Sequence, residues 1–124
     1  MSTILITGGT GFIGTNLEAE LQSRGHEVWT CDLQHGPSER HRRADVGAYE
    51  QLEWVLKQVQ YDVVYHLVAE YGRWNGEDHY ENLWKTNVVG TKNLLRLQES
   101  YKFRMIFFSS AEVYGDYGGI MTED

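Results

Sequence analysis

The stretch ILITGGTGFIG, residues 4–14, places four glycines within seven positions directly after a run of apolar residues that favour a β-strand. Glycines at this density predict a turn whose backbone is approached closely by another group. An apolar residue then recurs every four positions, which predicts a helix over residues 12–24 that ends at Gly25. The next apolar run, HEVWTCD, predicts a second strand that ends at Asp32.

A strand, a glycine-rich turn, a helix and a second strand with an acidic residue at its end are the parts of a dinucleotide-binding βαβ unit. In such a unit Gly8 permits the tight turn, Gly11 leaves room for a pyrophosphate, and Gly14 lets the helix pack close to the sheet. The backbone N–H groups of Phe12 and Ile13 are expected to face the diphosphate, where the helix dipole adds to the attraction. The alternative is an ordinary tight turn without a ligand.

Asp32 lies 18 positions after the last glycine of this turn. A carboxylate at the end of the second strand is expected to accept hydrogen bonds from the adenosine ribose hydroxyls. Its charge repels a 2′-phosphate, so we predict NAD rather than NADP as the cofactor. Arg40, Arg42 and Arg43 follow closely, and they either pair with a phosphate or form a solvated basic run.

Apolar β-type runs alternate with segments of helical period along the whole chain, which predicts an α/β fold. We expect a Rossmann-type parallel sheet with strand order 3-2-1-4-5, helices on both faces, and an end after the fifth strand. The length of 124 residues predicts one NAD(P)-binding domain over residues 1–124. The strands are expected at residues 3–7 and 26–32, in a short stretch that ends near residues 44–46, and at residues 62–68 and 104–110. The last two of these strands are expected to be buried on both faces.

Two further helices are predicted from apolar residues that recur with a helical period. The shorter one carries Leu52, Val55, Leu56 and Val59. The longer one covers residues 79–100, with Trp84, Val88, Thr91 and Leu95 on one side.

The net charge of -7 and the pI near 5.1 argue against nucleic acid and anionic membranes as partners, because both attract basic surfaces. The single cysteine, Cys31, excludes a disulfide framework, and the five histidines lack metal-ligand spacing, so we expect no metal. No apolar stretch approaches the length of a membrane span, and no basic segment precedes the first apolar run. These features favour a cytoplasmic protein.

Four motifs occur in an order and spacing that resemble one known family. They are TGGTGFIG (7–14), DVVYHLVA (62–69), TNVVGTKNLL (86–95) and FFSSAEVYGD (107–116). The chain resembles the extended short-chain dehydrogenases/reductases, in particular the NAD-dependent epimerase/dehydratase group that acts on nucleotide sugars. The resemblance implies NAD bound to a Rossmann domain and transient oxidation of a sugar hydroxyl, followed by epimerisation, dehydration, decarboxylation or reduction. It also implies a nucleotide sugar as substrate of the full-length enzyme and leaves a homodimer open.

The resemblance also assigns expected roles to residues of the cofactor site. The implied cofactor contacts beyond the glycine turn are Asp45 and Val46 at the adenine, Val68, Ala69 and Glu70 at the nicotinamide end, and Asn87 from the long helix. Val68 departs from the alanine that is usual in the family. The alternative interpretation of Asn87 is an ordinary surface residue of this helix.

Ser110 matches the catalytic serine or threonine of the family, whose hydroxyl hydrogen-bonds the sugar oxygen that is oxidised. Its alternative is a strand-end serine bound by nearby backbone. Glu112 resembles a residue of dehydratases and uronate decarboxylases, but Ala111 replaces the aspartate of the 4,6-dehydratases. Glu112 is equally well explained as a structural carboxylate.

Three residues after the fourth strand, Tyr71, Arg73 and Trp74, are candidates for stacking on a sugar or base, or for packing within a loop. His66, at the end of a buried strand, is interpreted as a core histidine rather than a base.

The acid/base pair of the family, Tyr-x-x-x-Lys, does not occur in the sequence. We therefore expect this chain to be the N-terminal part of a longer enzyme and to be inactive by itself. The alternatives are a stand-alone, non-catalytic NAD(H)-binding Rossmann module and an NADP-dependent reductase of the same superfamily.

Overall fold

The computed structural model describes residues 1–71, 78, 80–116 and 118–123. It contains a parallel sheet of five strands in the order β3-β2-β1-β4-β5, which confirms the predicted Rossmann-type arrangement. The strands are β1 (Thr3–Thr7), β2 (Glu27–Asp32), β3 (His41–Arg43), β4 (Val63–His66) and β5 (Arg104–Phe107). Their order reverses between β1 and β4, and such a reversal is where ligands bind in open α/β sheets.

Within the described residues, three helices connect the strands. They are α1 (Phe12–Ser23), α2 (Tyr49–Leu56) and α3 (residues 80–101), followed after β5 by a 3₁₀ turn (Ala111–Tyr114). Gly25 ends α1 with φ of +84°, as the sequence predicted. In the described part of the chain, no helix combines the length and apolar character that crossing a membrane requires.

The core lies on both faces of the sheet because side chains of a strand alternate in direction. Leu5 of β1 points into the larger cluster, which α2 and α3 cover, whereas Ile4 and Ile6 point into the smaller cluster under α1. Cys31 belongs to the larger cluster. Burial, with a smaller effect from neighbouring Asp32, raises the pKa of the Cys31 thiol to about 12, so the thiol is a packing residue.

The prediction that β5 is buried on both faces is wrong. β5 is an edge strand that pairs only with β4, and the Phe107 side chain is 57% exposed. The third strand ends at Arg43, close to the expected end near residues 44–46, and Ala44 and Val46 after it are buried in the core.

Helix α3 differs from the single α-helix that the sequence predicted. Its first turn (Tyr80–Leu83) and its last part (Gly90–Tyr101) are α-helical, but Trp84–Val89 is π-helical. A π-helical turn holds more residues than an α-helical turn, so it rotates the side chains before it relative to those after it. The predicted apolar side is mostly exposed, and the buried residues of α3 are Gly90, Asn93, Leu94 and Leu97.

Candidate functional site

A cleft of about 580 Å³ opens at the carboxyl ends of the strands, where ligands bind in parallel α/β sheets. Candidate residues from separate segments of the chain line this cleft. The candidates that line it are Gly8, Gly11, Phe12, Ile13, Gly14, Asp32, Asp45, Val46, Val68, Ala69, Glu70 and Ser110. Leu33 and Phe108, which sequence analysis did not single out, also line it.

Gly9 has no room for a side chain, because a Cβ there would collide with the Thr30 side chain. The packing of the protein also requires Gly8 and Gly14. Gly8 has φ of +78°, and a Cβ added there would lie 3.0 Å from the backbone nitrogen of Val68. A Cβ on Gly14 would collide with the carbonyl oxygen of Gly8. Helix α1 therefore packs directly against the turn, and neither position has room for a side chain.

Gly11 has no comparable packing requirement. Its φ is -75°, and a Cβ added there would meet a single atom, the carbonyl oxygen of Gly8 at 3.3 Å. It is the N-cap of α1, and no side chain caps this helix. Phe12 and Ile13 follow in the first helical turn, whose N–H groups have no partner within the helix. Because Gly11 has no side chain, the space beside these N–H groups is open to the cleft. A diphosphate bound at a helix start requires such an opening.

Asp32 projects from the end of β2, and its carboxylate is held at both oxygens. Thr10 donates to Oδ2 twice, from its hydroxyl at 2.7 Å and from its backbone nitrogen at 3.2 Å. The backbone nitrogen of Leu33 donates to Oδ1 at 2.7 Å. Asp32 also lines the cleft, so the carboxylate is fixed beside the space that an adenosine ribose would occupy.

The three arginines near β3 contact protein groups. The Arg42 guanidinium lies 4.7 Å above the Trp29 ring, and Arg43 donates to the carbonyl oxygen of Leu33 at 2.9 Å. The Arg40 guanidinium lies 4.0 Å from the Glu27 carboxylate of β2. Among the described residues that line the cleft, no arginine occurs. The structure thus favours the solvated-run interpretation of these arginines over a 2′-phosphate site.

The loop after β3 is held by α3. Lys85 forms an ion pair with Asp45 at 2.6 Å, and the Asn93 side chain donates to the carbonyl oxygen of Val46 at 2.9 Å. A Cβ on Gly90 would lie 2.6 Å from the Val46 side chain, so the helix and the loop are in close contact. These contacts fix the two residues expected beside the adenine.

The loop after β4 is held by the same helix. The Asn87 amide oxygen accepts from the backbone nitrogen of Glu70 at 2.8 Å, and the amide nitrogen donates to the Glu70 carbonyl at 2.9 Å. Asn87 is not among the residues that line the cleft. The structure thus gives Asn87 a role in positioning the loop, and its direct contact with a cofactor stays a prediction.

His66 is a buried, hydrogen-bonded residue. Its Nδ1 lies 2.7 Å from the Thr7 hydroxyl, and its Nε2 lies 3.0 Å from the Thr91 hydroxyl. The Thr91 hydroxyl donates to the Asn87 carbonyl, so Nε2 must carry the hydrogen and Nδ1 must accept. Burial lowers the pKa of His66 to about 4, so the ring is neutral at neutral pH. The interpretation as a core histidine is confirmed.

Ser110 lines the cleft and also caps the 3₁₀ turn, because its Oγ accepts from the backbone nitrogen of Glu112 at 3.2 Å. This bond uses Ser110 as an acceptor, and the hydroxyl is still able to donate towards the cleft. Glu112 is exposed in the turn and does not line the cleft. Tyr71 lines it, while Arg73 and Trp74 lie outside the described residues.

A model of the NAD-dependent epimerase/dehydratase family matches residues 4–124. The chain belongs to this family. The resemblance that the four sequence motifs indicated is therefore confirmed, and the glycine turn, the acidic residue and the cleft all lie within the matched residues. The family is NAD-dependent, which agrees with a cleft whose described lining includes the Asp32 carboxylate and no arginine.

Individual relatives show which members of the family the chain is similar to. A UDP-N-acetyl-alpha-D-glucosaminuronate decarboxylase of Bacillus cytotoxicus is 35% identical over 97% of this chain and 40% of its own length. UDP-glucuronic acid decarboxylase 1 of Danio rerio is 34% identical over 91% of this chain and 28% of its own. MoeE5 in complex with UDP-glucose and NAD is 32% identical over 98% of this chain and 41% of its own, with a TM-score of 0.86. The chain thus spans less than half the length of these relatives.

Sequence analysis missed the residues of α3 that hold the cleft, in particular Lys85 and Asn93. A signal was present for Asn93, because it shares a spacing of i, i+3, i+4, i+7 with Gly90, Leu94 and Leu97. That spacing identifies the buried face of the helix. Lys85 lies in the π-helical turn, where α-helical periodicity does not apply.

Proposed function

We propose that residues 1–124 form the NAD-binding domain of an enzyme that transiently oxidises a hydroxyl of a nucleotide sugar. Gly11 carries this proposal. It leaves the uncapped start of α1 open to a cleft at the strand ends, although the packing of the protein does not require a glycine there. The NAD dependence of the family and the NAD bound to MoeE5 support the choice of ligand.

The residues of the cleft suit successive parts of NAD. The N–H groups that follow Gly11 would bind the diphosphate, and Asp32 would accept from the adenosine ribose. Asp45 would lie at the adenine, and Val68 and Ala69 at the nicotinamide end. When bound there, NAD supplies the hydride acceptor for oxidation of the sugar hydroxyl.

Among the reactions of the family, we favour decarboxylation of a nucleotide uronic acid. The two relatives described above are decarboxylases of this kind, and a second structure of MoeE5 is a complex with UDP-glucuronic acid and NAD. Ser110 would hydrogen-bond the sugar oxygen that is oxidised. Glu112 follows at the rim and would approach the sugar only when the 3₁₀ turn shifts, because it does not line the cleft.

A second candidate is a Rossmann module that binds NAD(H) without catalysis. The observation that favours it is the lack of any tyrosine followed four positions later by a lysine in residues 1–124. Both candidates require the same NAD site, so binding alone does not separate them.

An NMR titration of the ¹⁵N-labelled chain with NAD tests the shared part of the proposal. We expect the largest amide shifts at residues 8–14, around Asp32 and at residues 68–70. Adenosine should reproduce the shifts near Asp32 but not those at the start of α1. Shifts confined to other surfaces, or no shifts at millimolar NAD, would contradict the site.

The enzymatic part is tested with the product of the complete open reading frame. Incubation with NAD and UDP-glucuronic acid should release carbon dioxide, and Ser110→Ala should lower that rate by about a hundredfold, the range of one general acid/base contribution. Epimerisation of UDP-glucose without decarboxylation would replace the decarboxylase proposal. Tight NAD binding with no turnover of either sugar would support the non-catalytic module.

A further inference from the structure

Thr10 occupies a position in the glycine turn that has no role in the motif itself. The turn needs its glycines for conformation and packing, whereas Thr10 lies between two of them with a half-buried side chain. Its hydroxyl donates to Asp32 Oδ2 at 2.7 Å, and its backbone nitrogen donates to the same oxygen at 3.2 Å. Thr10 thus links the diphosphate side of the cleft to its ribose side.

Hydrogen-bond donors hold both oxygens of the Asp32 carboxylate. Thr10 binds one oxygen, and the Leu33 backbone nitrogen binds the other at 2.7 Å. Hydrogen bonds to an ionised group are stronger than neutral ones, so rotation of this carboxylate away from the cleft is costly. Three of its roughly four acceptor positions are used, and the remaining one lies on the Oδ1 side.

We propose that Thr10 is a positioning residue for dinucleotide selection, which holds the Asp32 carboxylate where it accepts a ribose hydroxyl and repels a 2′-phosphate. This inference rests on the proposed NAD site. A carboxylate that rotates would lose contact with the hydroxyls and would also relieve repulsion from a phosphate. The hydroxyl of Thr10 therefore acts on the ratio of the NAD and NADP affinities, and not merely on the stability of the turn.

Calorimetric titration of the chain with NAD and with NADP tests this inference. Thr10→Val keeps the shape of the side chain and removes the hydroxyl, so the preference for NAD should fall roughly tenfold, as expected for one charge-assisted hydrogen bond. Thr10→Ser restores the donor and should keep the ratio within about twofold of the wild-type value.

Thr15→Val is the matched control. The Thr15 hydroxyl donates to the Gly11 carbonyl at 2.8 Å, so this variant removes a hydrogen bond from the same turn without touching Asp32. Its NAD to NADP ratio should not change. An unchanged ratio in Thr10→Val, or equal changes in Thr10→Val and Thr15→Val, would overturn the inference while leaving NAD binding by the wild type intact.

Folding of the Thr10 variants and binding by the wild type also test the inference. If Thr10→Val does not fold, Thr10→Ala takes its place, and failure of both to fold would show that the hydroxyl is structural and overturn the inference. If the wild type binds neither dinucleotide, the proposed function fails, and this inference fails with it.

Discussion

Gly11 and Gly14 lie three residues apart in one turn, yet the protein needs them for different reasons. Gly14 is enclosed by the backbone of Gly8, and any side chain there would push α1 away from the turn. Gly11 faces the cleft and is close to one backbone atom only. The sequence predicted close packing of the helix at Gly14, and the contacts of that residue agree with it, because close packing within a turn is a local property. The role that the sequence assigned to Gly11, room for a pyrophosphate, stays a prediction.

This difference predicts that adding a methyl group destabilises the protein more at Gly14 than at Gly11. Gly14→Ala should lower the free energy of unfolding by about 1–3 kcal/mol, the usual cost of overpacking. Gly11→Ala should change it by less than about 1 kcal/mol, since its backbone conformation suits any residue. Urea denaturation measures both values. Equal destabilisation by the two variants would contradict this account of the turn.

His66 predicts a dependence of stability on pH. Its pKa is about 4 in the folded protein, below the ordinary value of 6.5, so the unfolded chain binds a proton first as the pH falls. The stabilisation from the neutral ring is complete above pH 6.5 and is lost as the pH falls towards 4. We expect a loss of about 2 kcal/mol between about pH 7.5 and pH 5, measured by urea denaturation. His66→Asn should remove most of this loss, and an unchanged slope in that variant would rule out His66 as the cause.

Helix α3 holds the loops on both sides of the cleft. Asn87 binds the loop after β4, and Lys85 and Asn93 bind the loop after β3. The sequence predicted the helix, because its apolar period is strong over its last part. It did not predict the π-helical turn, whose residues Lys85 and Asn87 contact the two loops. The predicted apolar side is mostly exposed, and a different face of the helix is buried.

The two contacts with the β3 loop should differ in strength. Asn93 is buried, and Asn93→Ala leaves the Val46 carbonyl without this partner, so we expect a loss of about 1–3 kcal/mol in the free energy of unfolding. Lys85 is more than half exposed, and Lys85→Ala should cost less than about 1 kcal/mol. Chemical denaturation at moderate salt compares the two variants. A larger effect for Lys85→Ala would show that the ion pair, and not the amide, fixes the loop.

In the described part of the chain, the core lies on both faces of the sheet, and apolar residues of β5 and α3 are exposed. The alternation of strands and helices predicted a parallel sheet, and the dinucleotide-binding motif predicted its strand order. The exposure of β5 and of one side of α3 was not predictable from composition, because an apolar strand reads as buried wherever it lies. Leu95 is 48% exposed on this side of α3, beside Phe107 of the edge strand, and both line a shallow groove.

Exposed apolar surface of this kind predicts association of the chain with itself at high concentration. Leu95→Lys should reduce the associated fraction severalfold in sedimentation velocity experiments, because it places a charge in the groove. Leu33→Lys is the control, since Leu33 is 49% exposed but lies across the sheet from β5. If both variants reduce association equally, general charge repulsion and not the groove is responsible.

In the proposed function, the glycine turn and the start of α1 bind the diphosphate of NAD. Calorimetric titration with NAD of the wild-type chain and of Gly11→Val tests it most directly. We expect saturable binding at one site by the wild type, and at least a hundredfold weaker binding by Gly11→Val with unchanged helical content, because the branched side chain fills the space for the pyrophosphate. Equal NAD affinity of the two proteins would contradict the claim.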